Sequence, residues 1–302
     1  MEQHWQRAKA AFAAIAVPPI LWLIAFFVIP LGIIWAYSFG ENVTQIEIGI
    51  TGTFANYARV LEPLYLTIFL KSAWVAALTT FLCLIIGFPV AVAITFASPR
   101  LKMILLMMIM LPFWTNLLIR TYALMAVLRT EGLVNHSLEA IWRLVAGIMI
   151  GVGLNAPPDF QPLELLQNTG AVILGLVYVQ LPFMVLPLYA ALDRMDRSLI
   201  EASLDLGAGH MRTFWSIIIP LAMPGILSGV IITFIPSVGA FLTADLLGGP
   251  NDLMIANIIE RQFKRANNWP FGSALSFSLL YITFIAIALQ AFLAQRSRRR
   301  GR

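Results

Sequence analysis

The stretch EASLDLGAGHMRTFWSIIIP (201–220) sets a polar, partly charged segment directly before an apolar run that carries Pro220. A short charged helix, stopped at a glycine and fed into a proline-bearing apolar helix, has the form of a lever. It can be gripped from the aqueous side and can pass movement into a bilayer. Ser198, three residues before Glu201, fits a capping box that would start such a helix. Leu199, Ala202, Leu206 and, less regularly, Met211 recur at roughly helical spacing on an otherwise polar piece. Gly207 and Gly209 would then stop it. An apolar stripe exposed to water wants a partner groove; the plain alternative is a solvated loop between two spans.

The flanks decide the fold class. Of the 302 residues, 60% are hydrophobic and 12% charged, and the mean hydropathy is +0.84. Soluble domains run at roughly 45–50% apolar and about 25% charged, so the chain reads as an all-α integral membrane protein. A span needs about 20 mostly apolar residues. Six runs qualify, roughly 12–39, 70–97, 103–128, 170–193, 213–247 and 272–295, and all are read as one transmembrane domain over 1–302. Alternation at period two is absent, which argues against a β-barrel. The first run exceeds a signal-peptide core and lacks a small-x-small cleavage site, so it is read as a retained span. Cys83 lies inside the second run and reads as packing.

Charge orients the spans. With the N-terminus inside, Arg7, Lys9, Arg100, Lys102, Arg194, Arg197, Arg212 and the tail arginines 296–302 gather on one face. The acidic residues lean to the other, as the positive-inside rule expects. Both termini and the loop 194–212 are therefore expected in the cytoplasm. The net charge of +5 reflects this orientation towards anionic headgroups rather than nucleic-acid binding.

The connections 40–69 and 129–169 fall outside, the second holding an amphipathic or re-entrant stretch, 141–153, too short to span. A further helical run, 253–265, would lie across the outer mouth. The fifth run is about 35 residues, or roughly 50 Å as one straight helix, against about 30 Å of hydrocarbon. It must be broken, and Pro220, Pro224 and Pro236 mark where. The fourth run carries Pro182 and Pro187. Broken helices are tolerated where they line a cavity or are buried in protein, so spans four and five are pore-lining candidates and these prolines hinge candidates. Kinks that serve packing alone are the alternative.

Ionisable groups near the membrane are sparse. Arg120 falls near the outer end of its span, placed to snorkel to the headgroups. Asp245, in FLTADLLGG, has no Lys or Arg nearby in sequence. It could draw a cation or cap the turn at Gly248, and both roles stay open. Trp114, Tyr122, Tyr178 and Trp269 are candidates for aromatic contact with a cation, or for belt and packing positions. His4, His136 and His210 are scattered, and no metal-ligand spacing or catalytic constellation emerges. No G-x-x-x-x-G-K-[ST] phosphate loop is present either.

The segment 201–220 resembles the EAA loop of permease subunits of binding-protein-dependent ABC importers, whose pattern is E-A-A, three residues, G, nine residues, then I-x-L-P. Glu201, Ala202, Gly207, Ile217 and Pro220 match, while Ser203 and Ile219 depart mildly. Further stretches, LPFWTNLLIRTYA (111–123), GLVYVQLPFMVLPLY (175–189), DLLGGPNDLMIANII (245–259) and NWPFGSA (268–274), resemble the polyamine branch, the B-type subunits of spermidine/putrescine importers. The resemblance implies a type I ABC importer permease fold with a cytoplasmic coupling helix, in a bacterial inner membrane. It implies that Glu201, Ala202, Ser203, Asp205, Leu206 and Gly207 belong to the ATPase-coupling loop. The implied partners are an ABC ATPase dimer holding ATP and Mg, a second, C-type permease subunit and a periplasmic binding protein. No cofactor is expected in this chain, and no enzymatic activity of its own. The alternatives are the same importer class carrying another small cationic or organic solute, an ion-coupled secondary transporter, a membrane enzyme and a structural subunit. The secondary transporter would need coupling carboxylates near midplane and internal repeats, and neither is legible.

Overall fold

The computed structural model describes residues 9–44, 47–152 and 159–300, and the chain divides into two compact units, Met1–Leu66 with Ile258–Arg302, and Thr67–Asn257. Five stretches among the described residues are long and apolar enough to cross a membrane: Ala14–Tyr37, Pro63–Phe96, Leu117–Gly151, Thr169–Asp193 and His210–Val238. A shorter apolar stretch, Trp269–Ile285, opens the final helix.

In the first unit, α1 (Lys9–Leu23) passes through a π-helical turn, Ile24–Val28, into α2 (Ile29–Tyr37). Pro30 explains the turn: it has no N–H for the carbonyl of Phe26, and its ring would strike that carbonyl in a regular helix. A wider turn relieves the clash. After a small hairpin, β1 (Glu41–Asn42) with β2 (Ile48–Gly49), α3 (Ala55–Val60) packs on the last helix, α14 (Trp269–Arg300). Arg59 of α3 holds its guanidinium 4.2 Å from the ring centre of Phe271, which is fully buried, and donates to the Tyr65 hydroxyl at 3.3 Å. The Trp35 indole N–H donates to the Tyr281 hydroxyl at 2.9 Å, tying α2 to α14.

The second unit holds most of α4 (Pro63–Phe96), then α5 (Pro99–Met110), a 3₁₀ turn (Leu111–Trp114), α6 (Leu117–Leu128), α7 (Leu133–Gly151) and α8 (Thr169–Asp193). There follow α9 (Ser198–Asp205), α10 (His210–Thr213), a π-helical turn (Phe214–Ile218), α11 (Ile219–Val238) and α12 (Leu242–Leu247). The helix α13 (Ile255–Lys264) starts in this unit. Its centre is the pair α8 and α11. Lipid tails are as apolar as the side chains, so helices in a bilayer associate by close packing and hydrogen bonds. Here Gly225 and Gly229, four residues apart on one face of α11, let the backbones meet. A Cβ at Gly225 would lie 2.6 Å from that of Ala191, and one at Gly229 would lie 2.7 Å from the Met184 sulfur. Cys83, Ile94, Met184, Leu188 and Ala222 form the buried cluster around this seam, in keeping with a packing role for the cysteine.

Three expectations change. The third span is not one helix over 103–128, because Pro112 ends the α-helical hydrogen bonding and Asn116 starts it again by accepting the Leu118 N–H at 2.8 Å. The amphipathic or re-entrant stretch expected at 141–153 belongs, as far as Gly151, to a longer helix of 19 residues, α7, while residue 153 lies outside the described residues. In the polar start of α7, LVNHSLEA, Asn135, Ser137 and Glu139 all have partners. Asn135, buried, exchanges hydrogen bonds with the backbone of Leu163 at 2.9 and 3.0 Å, and Glu139 pairs with Arg143 one turn on. Finally, Pro182 and Pro187 leave α8 unbroken, and Pro224 leaves α11 unbroken. The fifth span does break, but after Pro236, at 239–241. Pro220 sits just after a π-helical turn containing Ser216, the residue whose carbonyl it cannot serve, as Pro30 does in the first span.

Candidate functional site

The segment 194–212 forms a short helix, α9, held at both ends. At its start the Asp196 carboxylate accepts the Ser198 N–H at 3.0 Å, so Asp196 does the capping. Ser198 is the first residue inside the helix, and the expected Ser198–Glu201 capping box does not form. Hydrogen bonds from the Ser198 backbone, then its side chain, hold the Asp196 carboxyl below its ordinary range. Arg197 donates to the carbonyl of Thr95 at 3.0 Å, in the last turn of α4, with its guanidinium 5.2 Å from the Phe96 ring centre.

At the other end Gly207 takes φ +81°, the left-handed region. The Gly207 N–H returns to the carbonyl of Leu204 at 2.9 Å and the Ala208 N–H to that of Ser203 at 3.1 Å. This pair of bonds is the Schellman termination, so Gly207 stops the helix as expected, and Gly209 precedes the next one in extended conformation. Ser203, the departure from the E-A-A pattern, shares a 2.9 Å hydrogen bond with the buried Thr213 hydroxyl, fastening α9 to the root of the following span. Beside it, Lys102 pairs with Asp193, which also accepts from the Tyr189 hydroxyl at 3.2 Å. The free face of α9 and its turn is apolar at its most projecting point. Leu206 is 89% exposed and Met211 74%, with Glu201, Ala202 and Asp205 also open to solvent.

The pathway candidates are spread over several elements. Trp114, at the end of the 3₁₀ turn, is 83% exposed. Tyr122 lies exposed on α6, and Tyr178 on α8 has the Arg120 guanidinium 5.8 Å from its ring centre. Trp269 donates its indole N–H to Asn267 at 3.0 Å within the other unit. Asp245, on α12, is exposed, and the turn at Gly248 closes on the carbonyl of Ala244 instead of on its carboxylate. Arg120 does more than reach for headgroups. It donates to the carbonyls of Pro112 and Thr115, supplying the donors that the helix break withholds.

Sequence reasoning missed a second clasp. Asp252, in the LLGGPND segment, accepts from Lys71 at 2.9 Å on α4, from Thr169 at the start of α8 and from the Gly249 N–H at 3.2 Å. Burial pushes the Asp252 carboxyl up, but these three hydrogen bonds together hold it below its ordinary range. A depressed folded-state pKa contributes stability above the unfolded value and loses it as pH falls through the folded one. Melting of the purified protein is therefore expected to gain an acid-sensitive component below about pH 4. Asp252→Asn should lower the melting temperature at neutral pH and remove that component. An unchanged acid slope in the variant would refute the assignment.

A family model described as the binding-protein-dependent transport system inner membrane component matches residues 84–299. The chain belongs to that family. The match takes in α9, its Schellman turn, α11 and α12. Among its relatives, the spermidine/putrescine transport system permease protein PotB of Salmonella typhimurium (strain SL1344) is 39% identical over 261 residues, covering 86% of each chain. The protein of the same name from Haemophilus influenzae (strain ATCC 51907 / DSM 11121 / KW20 / Rd) is 38% identical over 270 residues, 88% of each. The crystal structure of a bacterial ABC transporter involved in the import of the acidic polysaccharide alginate matches with a TM-score of 0.69 at 17% identity, over 98% of this chain and 99% of that one. That likeness is one of fold: the all-α architecture is that of a type I ABC importer permease. As a family member, the chain is a transport component of the inner membrane and not an enzyme.

Proposed function

We propose that this chain is one of two permease subunits of an ATP-driven importer that carries spermidine and putrescine from periplasm to cytoplasm. The observation that carries the substrate is the 39% identity over 86% of both chains to a permease named for spermidine and putrescine. A C-type permease would be the second subunit, an ABC ATPase dimer would hold ATP and Mg, and a periplasmic binding protein would deliver the cation.

In this reading the basic residues Arg194, Arg197 and Arg212 keep α9 in the cytoplasm. The coupling helix is α9; Leu206, which ends it, and Met211, on α10, face a groove on the ATPase, with Glu201, Ala202 and Asp205 nearby on α9. Arg197 and the Ser203–Thr213 bond carry its displacement to α4 and to the root of α11. Two stable settings of such a rigid element suit alternating access, with Gly207 and the break after Pro236 as the places where it bends.

The test is uptake of labelled spermidine and putrescine in transport-deficient cells expressing the complex, with and without this chain. Uptake that requires this chain and vanishes when the ATPase is inactivated is the expected result. An assembled complex that moves neither amine would discard the substrate while leaving the family intact.

Asp245 is the carboxylate proposed to gather the cation near the outer mouth. Asp245→Asn is expected to lower uptake at limiting substrate by up to about fivefold, as an exposed charge pair is worth roughly 0.2–1 kcal/mol. The complex should still assemble. Identical uptake kinetics would remove Asp245 from the pathway.

A further inference from the structure

The apolar middle of α8 carries one amide, Gln180. Counting along the 25 residues of Thr169–Asp193, it lies about 16 Å from one end and about 20 Å from the other, near the middle of a bilayer. Gln180 is 4% exposed, and its side-chain oxygen has no hydrogen-bond partner. A buried polar atom without a partner is costly. At such depth in a membrane protein, polar side chains face cavities and mark the path of a substrate.

Gln180 lines a cavity of about 330 Å³, within the size range of small-molecule sites. Phe183 lines it from the same helix, Pro236 and Gly239 from the end of α11, and Phe241 from the break that follows. Helix C-termini and aromatic faces both carry negative potential. The last carbonyls of a helix lack intrahelical partners and carry the negative end of its dipole. Here the N–H groups of Gly239 and Ala240 both turn back to the carbonyl of Ser237, so neither caps Ile235 or Pro236. Phe183 is fixed edge-on against Phe113, ring centres 4.8 Å apart, and aromatic faces attract ammonium groups. No Lys, Arg, His, Asp or Glu is among the residues lining the cavity.

We propose that Gln180, the carbonyl end of α11 and the rings of Phe183 and Phe241 form a transit site for one ammonium group of a polyamine. This rests on the polyamine reading above. A half-turn of the terminal amide exchanges its oxygen and nitrogen, so Gln180 offers an acceptor when the cation arrives. Because every contributor is a neutral dipole, the site attracts an ammonium without the full charge of a carboxylate. A conducting site must also let its ion leave. The charged Asp245 would gather the cation, and the neutral site would hand it on.

The test uses the complete complex in proteoliposomes, with spermidine-loaded binding protein. Labelled spermidine uptake and ATP hydrolysis are measured together. Gln180→Leu is expected to cut uptake about tenfold, the loss of one charge-assisted hydrogen bond. Stimulation of ATP hydrolysis by the loaded binding protein should stay within about twofold of the wild type, which is about 0.4 kcal/mol. Gln180→Asn, which keeps a neutral amide acceptor, should recover most of the uptake. Wild-type uptake by Gln180→Leu would overturn the site and leave the polyamine reading standing. Equal loss of uptake and stimulated hydrolysis, unrepaired by Gln180→Asn, would make Gln180 a structural residue and also overturn the proposal. A wild-type complex that hydrolyses ATP but moves no polyamine would overturn both.

Discussion

Gly207→Pro is expected to abolish ATP-driven uptake while the chain still inserts and assembles. The native residue sits at φ +81° and donates its N–H to Leu204. Proline is locked near −65° and has no N–H, so both the backbone angle and the bond are lost, at about 3 kcal/mol or more. At 1.4 kcal/mol per tenfold, the population of correctly terminated α9 falls about a hundredfold, and uptake should follow. Gly207→Ala separates strain from bulk. A Cβ there meets nothing within 4 Å, so only the left-handed angle is charged against it, about 1–2 kcal/mol, or about tenfold in uptake. Gly207→Asn, which tolerates that angle, should lie closer to wild type. Uptake and ATP hydrolysis measured side by side decide the matter. Tight coupling in Gly207→Pro would remove the turn from the coupling path, and a variant absent from the membrane would show that the turn serves folding.

That turn was legible from sequence because its chemistry is local: glycine is the residue that takes a positive φ without cost, and it stood where the helical spacing ran out. The spans were legible for a similar reason, since their lengths answer to the bilayer. What failed depended on partners distant in sequence. Ser198 and Glu201 have the spacing of a capping box, yet Asp196 reached the same N–H first and moved the helix start. Pro182 and Pro187 suggest breaks, but each withholds a single hydrogen bond, and α8 is packed from Met184 to Ala191 against the Gly225–Gly229 face of α11. The break that did form in the third span carried its own signs, Pro112 and Asn116. What the sequence could not supply was Arg120, five residues beyond Thr115, paying back the lost donors.

The Asp252 clasp joins residues 181 and 83 positions apart, and no spacing rule reaches that far. It also gives the LLGGPND segment a structural reason to exist. The carboxylate of that segment is already occupied by Lys71 and Thr169, so Asp245, one helix earlier, is the acidic side chain left open to solvent. The ties of α9 follow the same logic. Arg197 and Thr95 meet across 102 positions, and without them α9 would be an amphipathic fragment hanging between two spans.

Leu206→Asp is expected to detach the ATPase. Leu206 follows the last residue of α9 and is 89% exposed, the most open of the large apolar residues described. Covering such a side chain contributes about 1.5–3 kcal/mol, and anchors at the centre of an interface cost 2 kcal/mol or more when lost, roughly thirtyfold in affinity. An aspartate adds a charge that must be desolvated in the same groove, so the loss should exceed thirtyfold. The permease itself should be untouched, because the replaced side chain reaches into solvent while α9 is held from its other side through Arg197 and Ser203. The measurement is the affinity of the ATPase for the purified permease pair, with the melting temperature of the pair as the control. A weakened ATPase complex at unchanged melting temperature is the expected pair of readings. Ser203→Ala separates grip from transmission: it leaves the exposed face intact and removes the bond to Thr213, so the ATPase should bind as before while uptake per ATP declines. If Leu206→Asp binds the ATPase as the wild type does, the exposed face of α9 is not where the motor holds the permease.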